Sequence, residues 1–210
     1  MHIDPSNIFV IVPGFNEATV IRRTVDQLLL KKYTMVVVDD ASADNTREAL
    51  LNLPVHYLRH RINLGQGASL GTGISFALAK NAHIIVSFDA DGQHDANDIE
   101  KMIHYLKQTN ADIVFGSRFI EGATTNAPLL RKMVLKTARF INYLASGILL
   151  TDANNGLRVM TRDTASKMKI TENRSSHNAQ VQSFIHRNRL RYAECPVNIS
   201  YSDYSKKKGV

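Results

Sequence analysis

The chain has 210 residues, 44% hydrophobic and 21% charged, enough for one domain with a sizeable core, which excludes wholesale disorder. Eleven Gly and five Pro exclude a fibrous or low-complexity protein, and the single cysteine, Cys195, excludes an internal disulfide or a cysteine-rich metal site. The net charge of +7 is uneven: residues 1–115 carry 10 basic and 13 acidic groups, whereas residues 116–210 carry 16 basic and 6 acidic.

Ile8 to Val12 is an apolar run that predicts a buried strand. A helix follows, with Ile21, Val25 and Leu28 on one face. Met35 to Val38 predicts the second strand, which ends at Asp39-Asp40. A short helix is expected near Asn45 to Leu51, and a weaker strand at Val55 to Leu58. Leu70, Ile74, Ala77 and Leu78 mark one face of the next helix. Ile84 to Phe88 predicts a strand ending at Asp89. Asp95 suits the N-cap of a helix with Ile99, Met102, Ile103 and Leu106 inward. Ile113 to Phe115 is the fifth strand.

The second half is less regular. Glu121 to Asn126 has turn composition. Pro128 suits the first turn of a helix running to about Ser146. Its apolar stripe is Leu130, Met133, Val134, Ile141 and Leu144, and its opposite face holds Lys132, Lys136 and Arg139. Leu157 to Met160 predicts a strand, Asn178 to Asn188 a helix, and Tyr192 to Tyr201 an extended segment. Pro196 argues for an edge or a bend there. No repeat or linker is visible, so residues 1–210 are expected to form one domain.

Strand–helix alternation with continuous apolar strands predicts an α/β fold with a mainly parallel sheet flanked by helices. Ligands of such sheets bind beyond the carboxyl ends of the strands. Both acidic segments fall at such ends. Asp89-Ala90-Asp91-Gly92-Gln93-His94 offers hard oxygen ligands suited to Mg²⁺ or Mn²⁺, although an acidic turn into a helix reads equally well. In Asp39-Asp40-Ala41-Ser42-Ala43-Asp44, a carboxylate can accept from a base or ribose, or Ser42 or Asp44 can cap the next helix. Val12-Pro13-Gly14-Phe15-Asn16-Glu17 is a tight turn that exposes amides and a ring. Asn63-Leu64-Gly65-Gln66-Gly67-Ala68 is not a dinucleotide fingerprint, because its third glycine is displaced and it does not follow the first strand.

In order and spacing, these four segments resemble family 2 glycosyltransferases of the GT-A fold, in the dolichyl-phosphate mannose synthase-like and bacterial polyprenyl-phosphate branch. The chain supplies Pro13, Phe15, Asn16 and Glu17; Asp39, Asp40, Ser42, Asp44 and Thr46; Asn63, Gly65 and Gly67; and Asp89, Asp91, Gln93 and His94. The likeness continues through Gly116 to Phe119, Asp152 to Arg158, and Glu194 to Tyr201, so it spans nearly the whole chain.

The resemblance implies a nucleotide-sugar pocket formed by Pro13, Phe15, Glu17, Asp39, Asp40, Gly67, Asp89 and Ala90. It implies a metal held by Asp89, Asp91 and Gln93. Arg118 and Arg131 would meet the phosphate of a lipid acceptor, and Asp152 would lie near the reacting centre. Lys206 and Lys207 would close over the donor phosphates, beside Tyr204, Ser205 and Lys208. Residues 1–115 would bind the donor and 116–210 the acceptor. Where relatives often carry a His-x-x-Glu segment, this chain has His177-Asn178-Ala179-Gln180, and a Gln cannot serve as a base. Many relatives continue into membrane segments, so a sequence stopping at Lys208-Gly209-Val210 is either naturally short or a piece of a longer chain.

The resemblance implies inverting transfer from a UDP- or GDP-sugar. A lipid phosphate needs cationic positioning rather than a base, which suits the basic second half and Arg118 and Arg131. The alternative is a hydroxyl acceptor in polysaccharide or glycolipid synthesis, with Asp152 as base. The Lys132, Lys136 and Arg139 face could rest on an anionic membrane. With no Trp, a basic nucleic-acid-binding module is the distant alternative. The start lacks a signal peptide, and no run of about 18 apolar residues is present, so the expected site is the cytoplasmic face of a membrane. The oligomeric state is left open.

Overall fold

The computed structural model describes residues 4–127, 129–174, 176–202 and 204. The side chains of residues 129–132 and 136 also lie outside the described set. Pro128, Ser205, Lys206, Lys207 and Lys208, and the side chains of Leu130, Arg131, Lys132 and Lys136, therefore fall beyond structural test.

After a 3-10 turn at Pro5–Asn7 come β1 (Ile8–Gly14), α1 (Ile21–Leu29), β2 (Thr34–Asp39), α2 (Thr46–Ala49), β3 (His56–Arg59) and α3 (Gln66–Ala79). Then follow β4 (Ile84–Ser87), α4 (Asn97–Gln108), β5 (Ile113–Ser117), β6 (Thr124–Thr125) and α5 (Leu129–Ser146). The chain continues with β7 (Arg158–Thr161), α6 (Arg162–Lys167), α7 (His177–Arg187), β8 (Tyr192–Pro196) and β9 (Asn198–Ile199).

Seven strands form one sheet in the order β3-β2-β1-β4-β7-β5-β8. All neighbours are parallel except β7, which runs antiparallel between β4 and β5. The sheet is thus mainly parallel, with a reversed strand from the second half inserted between β4 and β5. Pro196 sits on β8, which pairs only with β5 among the described strands, so its missing N–H faces an edge. Within the turn-like segment 121–126, β6 pairs with β9.

Continuous apolar strands are explained by the layers. Val10 and Val12 of β1 pack with Val25, Leu28 and Ile99 on one face, while Phe9 and Ile11 pack with Leu70, Ile74 and Ile185 on the other. Each such residue contributes roughly 1.5–3 kcal/mol by leaving water. The N-cap of α4 is Ala96, not the expected Asp95; Asp95 stands one residue earlier and accepts from the Asn97 N–H at 2.9 Å.

Helix α5 departs from the usual pattern. The described members of its apolar stripe point outward: Met133 is 67% exposed and Leu144 70%, and Val134, Phe140 and Ile141 are exposed as well. Polar residues turn inward instead. Asn142 donates to Asn154 Oδ1 at 3.1 Å, and Ser146 donates to Gln182 Oε1 at 3.2 Å. Among the described residues, no helix is long and apolar enough to cross a membrane.

Candidate active site

β2, β1 and β4 are neighbours, so their carboxyl ends open on one edge of the sheet. A cavity of about 410 Å³ lies there. Of the residues expected at a donor site, Pro13, Phe15, Glu17, Asp40, Asp89, Ala90 and Asp91 line it. Gly14, Asn63, Gly65, Gln66, Ser69 and Asn154 complete the wall.

Two expected members lie elsewhere. Asp39 is fully buried; its Oδ1 accepts from the Ser42 N–H at 2.9 Å and its Oδ2 from the Tyr57 hydroxyl at 2.5 Å. Its charge is spent on shaping the loop, and Arg59 stands 3.7 Å away. Gly67 faces the 172–173 backbone instead of the cavity. A Cβ there would meet the Glu172 carbonyl oxygen at 2.0 Å, and the Gly67 N–H donates to the Asn173 carbonyl at 2.8 Å. The bare backbone of Gly67 is what lets the 172–173 loop pack on α3.

Asp40 reaches the cavity by organising its wall. It accepts from the Leu64 and Gly65 N–H groups at 2.9 and 2.6 Å and pairs with His60 at 2.7 Å. The second ring nitrogen of His60 lies 3.0 Å from Thr72 Oγ1, so His60 ties β3 to α3. Ser42 and Asp44 also act locally: Ser42 Oγ accepts from the Asn16 N–H, and Asp44 from the Ala18 and Thr46 N–H groups. These contacts hold the Phe15–Glu17 turn against α2. The Tyr204 hydroxyl donates to Glu17 Oε2 at 2.9 Å, which brings Tyr204 to the cavity rim.

The acidic turn after β4 carries the strongest electrostatics. Asp89 accepts from Gln66 Nε2 at 2.8 Å and lies 3.3 Å from His94 Nε2. Burial opposes its charge, but His94, Arg158 and His177 outweigh burial, so its pKa is held below the ordinary value. Asp91 goes the other way. Burial first, and the Asp89 charge second, push its pKa up to about 6. Its Oδ1 accepts from the Gln93 N–H at 3.0 Å and its Oδ2 from Gln93 Nε2 at 2.7 Å.

Two crowded carboxylates with oxygen-only donors, one of them reluctant to ionise, fit a hard divalent cation. Gln93 presents its N–H to Asp91, so it would join as a ligand only after its amide turns over. Among the described residues, no three His, Cys, Asp or Glu side chains already converge as a metal cage.

Asp152 and Arg118 form a separate, buried unit. Asp152 Oδ2 accepts from Arg118 Nε at 2.5 Å, from the Arg118 N–H at 3.2 Å and from Asn155 Nδ2 at 3.2 Å. Arg118 also donates to the Tyr201 hydroxyl. Neither residue lines the cavity, but the segment holding Asp152 continues through Asn154, which does. Gln180, the departure in the His-x-x-Glu segment, holds a loop. Its Oε1 accepts from the Thr171 and Glu172 N–H groups, each at 3.0 Å, and its Nε2 donates to Thr171 Oγ1 at 2.7 Å. That loop is the one packed on Gly67.

Sequence reasoning missed Gln66, Ser69 and Asn154 as wall residues. Gln66 lies inside the glycine stretch and Asn154 inside the 152–158 segment, so their neighbourhoods were legible while their side chains were not. Ser69 Oγ is buried with no hydrogen-bond partner, which no sequence signal announces.

The model of glycosyl transferase family 2 matches residues 9–169. An uncharacterised protein of Methanocaldococcus jannaschii is 35% identical over 211 residues, covering 99% of this chain and 87% of its own. The UDP-N-acetylglucosamine–dolichyl-phosphate N-acetylglucosaminyltransferase of Methanococcus voltae is 29% identical over 223 residues, covering 96% and 89%. Among solved structures, glucosyl-3-phosphoglycerate synthase of Mycobacterium tuberculosis, in complex with Mn²⁺, UDP-glucose and phosphoglyceric acid, has a TM-score of 0.71 at 14% identity. That match covers 96% of this chain and 74% of that one and shows the shared GT-A fold. With most of its length matched by the family model, the chain belongs to glycosyl transferase family 2 and is a glycosyltransferase of the dolichyl-phosphate glycosyltransferase branch.

Proposed function

We propose that this glycosyltransferase moves a sugar from a UDP- or GDP-sugar to a polyprenyl or dolichyl phosphate, with inversion, using Mg²⁺ or Mn²⁺. The observation that carries the reading is one cavity joining the Phe15–Glu17 turn, the Asp40-organised glycine segment and the Asp89–Asp91 pair. Its volume of about 410 Å³ suits a small-molecule ligand. The names of the Methanococcus relative and the Mycobacterium complex, which specify a UDP-sugar donor, a dolichyl-phosphate acceptor and Mn²⁺, support the same chemistry.

Asp89 and Asp91 would hold the metal, with Gln93 joining once its amide turns. A bound divalent ion supplies charge neutralisation for the departing diphosphate. Phe15 offers an exposed ring to a base, and Glu17 offers carboxylate oxygens to ribose hydroxyls. Tyr204 on Glu17 supports closure by the C-terminal segment, where Lys206 and Lys207 would meet donor phosphates.

The acceptor side favours a phosphate. A phosphate monoester is ionised at neutral pH and needs no base. Asp152 already has three donors on one oxygen, so it is suited to aligning Arg118, not to taking a proton. Arg118, with Arg131, would then position the acceptor phosphate. The whole chain would act as one domain, with residues 1–115 serving the donor and 116–210 the acceptor. The outward apolar face of α5, on a helix with Arg131, Lys132, Lys136 and Arg139 and no acidic residue, supports peripheral contact with an anionic membrane. The cytoplasmic face is the side where nucleotide sugars meet such a surface.

A thermal-shift panel of nucleotide sugars with and without Mn²⁺ tests the reading. One nucleotide sugar should stabilise the protein only with metal, and Asp91→Asn should abolish the shift. No response to any UDP- or GDP-sugar would sink it. The hydroxyl-acceptor alternative requires Asp152→Asn to abolish transfer while donor binding stays intact.

A further inference from the structure

Arg158 opens β7 opposite Ser87 of β4 and Phe115 of β5, and its side chain is 1% exposed. A guanidinium so enclosed is ordinarily matched to a carboxylate. Among the described residues Arg158 forms no ion pair. Its Nη2 donates to the Asn155 carbonyl at 3.3 Å and to Asn178 Oδ1, while its Nε has no partner. The Phe115 ring centroid lies 5.8 Å from the guanidinium carbon.

Burial pulls the Arg158 pKa down to about 10, against an opposing pull from Asp89, so the group keeps its charge at neutral pH. Burial first and the Arg158 charge second hold the pKa of the nearby His177 below its ordinary value.

The same segment seats Asp89. A Cβ on Gly156 would fall 2.1 and 2.4 Å from the two Asp89 carboxylate oxygens, so the carboxylate rests on bare backbone. The Ser87 hydroxyl donates to the Gly156 carbonyl at 2.6 Å and pins the segment to the end of β4. Gly156 thus makes the space, and two residues on, Arg158 supplies the charge.

We propose that Arg158 is a positioning residue acting through Asp89: its fixed positive charge lowers the site's affinity for a bare divalent ion and raises it for the donor's diphosphate, so the two enter together. The inference rests on the metal-and-diphosphate reading of the cavity. A cation at Asp89 and Asp91 is repelled by the guanidinium and a diphosphate is attracted. Removing the charge therefore shifts the two affinities in opposite directions. Loss of mere packing weakens both.

The test titrates Mn²⁺ alone by electron paramagnetic resonance, and UDP and GDP in EDTA by calorimetry, into wild type, R158M and R158K. R158M should bind Mn²⁺ on the order of fivefold tighter and its preferred nucleotide on the order of fivefold more weakly, with R158K close to wild type. Weakening of both ligands in R158M, or no change in either, overturns the proposal. Replacing a buried charge by an apolar side chain of similar volume is often tolerated, and R158Q repeats the test should R158M not fold. D91N is the control: if it binds Mn²⁺ as wild type does, the cavity reading itself fails, an outcome distinct from failure at Arg158.

Discussion

Asp91→Asn should stabilise the metal-free protein at neutral pH while removing the metal-dependent response to donor. In the folded chain burial and the Asp89 charge push the Asp91 pKa up to about 6, from an ordinary value of 3.8. A carboxylate raised in this way binds its proton more tightly when folded. Stability is therefore lost as pH rises from 3.8 through 6, and the cost is complete above the folded pKa. At about 1.36 kcal/mol per pH unit, ionised Asp91 costs about 3 kcal/mol at pH 7 and about half of that at pH 5. Asn keeps an oxygen for the Gln93 N–H, and the Gln93 amide can turn to accept from the new Nδ2. Urea unfolding of both proteins in EDTA at pH 7 and pH 5 measures the difference. Asp98, whose pKa burial raises, and His177, whose pKa burial lowers, also respond to pH, but both proteins contain them and their effects cancel. The gain should be roughly halved at pH 5, and saturating Mn²⁺ with donor should reverse the order. An Asp91→Asn protein no more stable than wild type at pH 7, or a gain that ignores pH, would refute the reasoning.

Asp152→Ala leaves Arg118 buried without its carboxylate and should cost about 3–5 kcal/mol in urea unfolding; a loss under 1 kcal/mol would mean the pair is not formed in solution. Tyr57→Phe removes the hydroxyl on Asp39 and should cost about 1 kcal/mol with donor affinity unchanged. A matching fall in donor affinity would return Asp39 to the binding site. Gly67→Ala forces the Glu172–Asn173 backbone away from α3 and should lower the melting temperature by several degrees, on the order of 1–3 kcal/mol; an unchanged melting curve would remove that contact from the account.

The reversed strand β7 illustrates what the residues announced and what they withheld. The run from Leu157 to Met160 predicts a strand, but nothing in it states direction or neighbours. Its place between β4 and β5 is set by long-range pairing, Ile85 with Met160 and Val114 with Val159. That placement carries Asn154, Gly156 and Arg158 past the cavity, and none of the three stands out as a donor-site residue when read alone. Likewise α5 shows an amphipathic period from its sequence, while which side meets protein is decided by Asn142 and Ser146 finding partners on other segments.

By itself the sequence determined the α/β class, the strand ends and the acidic segments placed at them. These depend on local apolar runs and on the rule that parallel strands present successive turns on one edge. Only the tertiary structure decided that Asp40 faces the cavity while Asp39 faces Tyr57, and that Asp152 is engaged by Arg118, 34 positions away. Whether a carboxylate turns to a ligand or to its own loop depends on donors that folding brings in from distant segments, and residue order does not encode those distances.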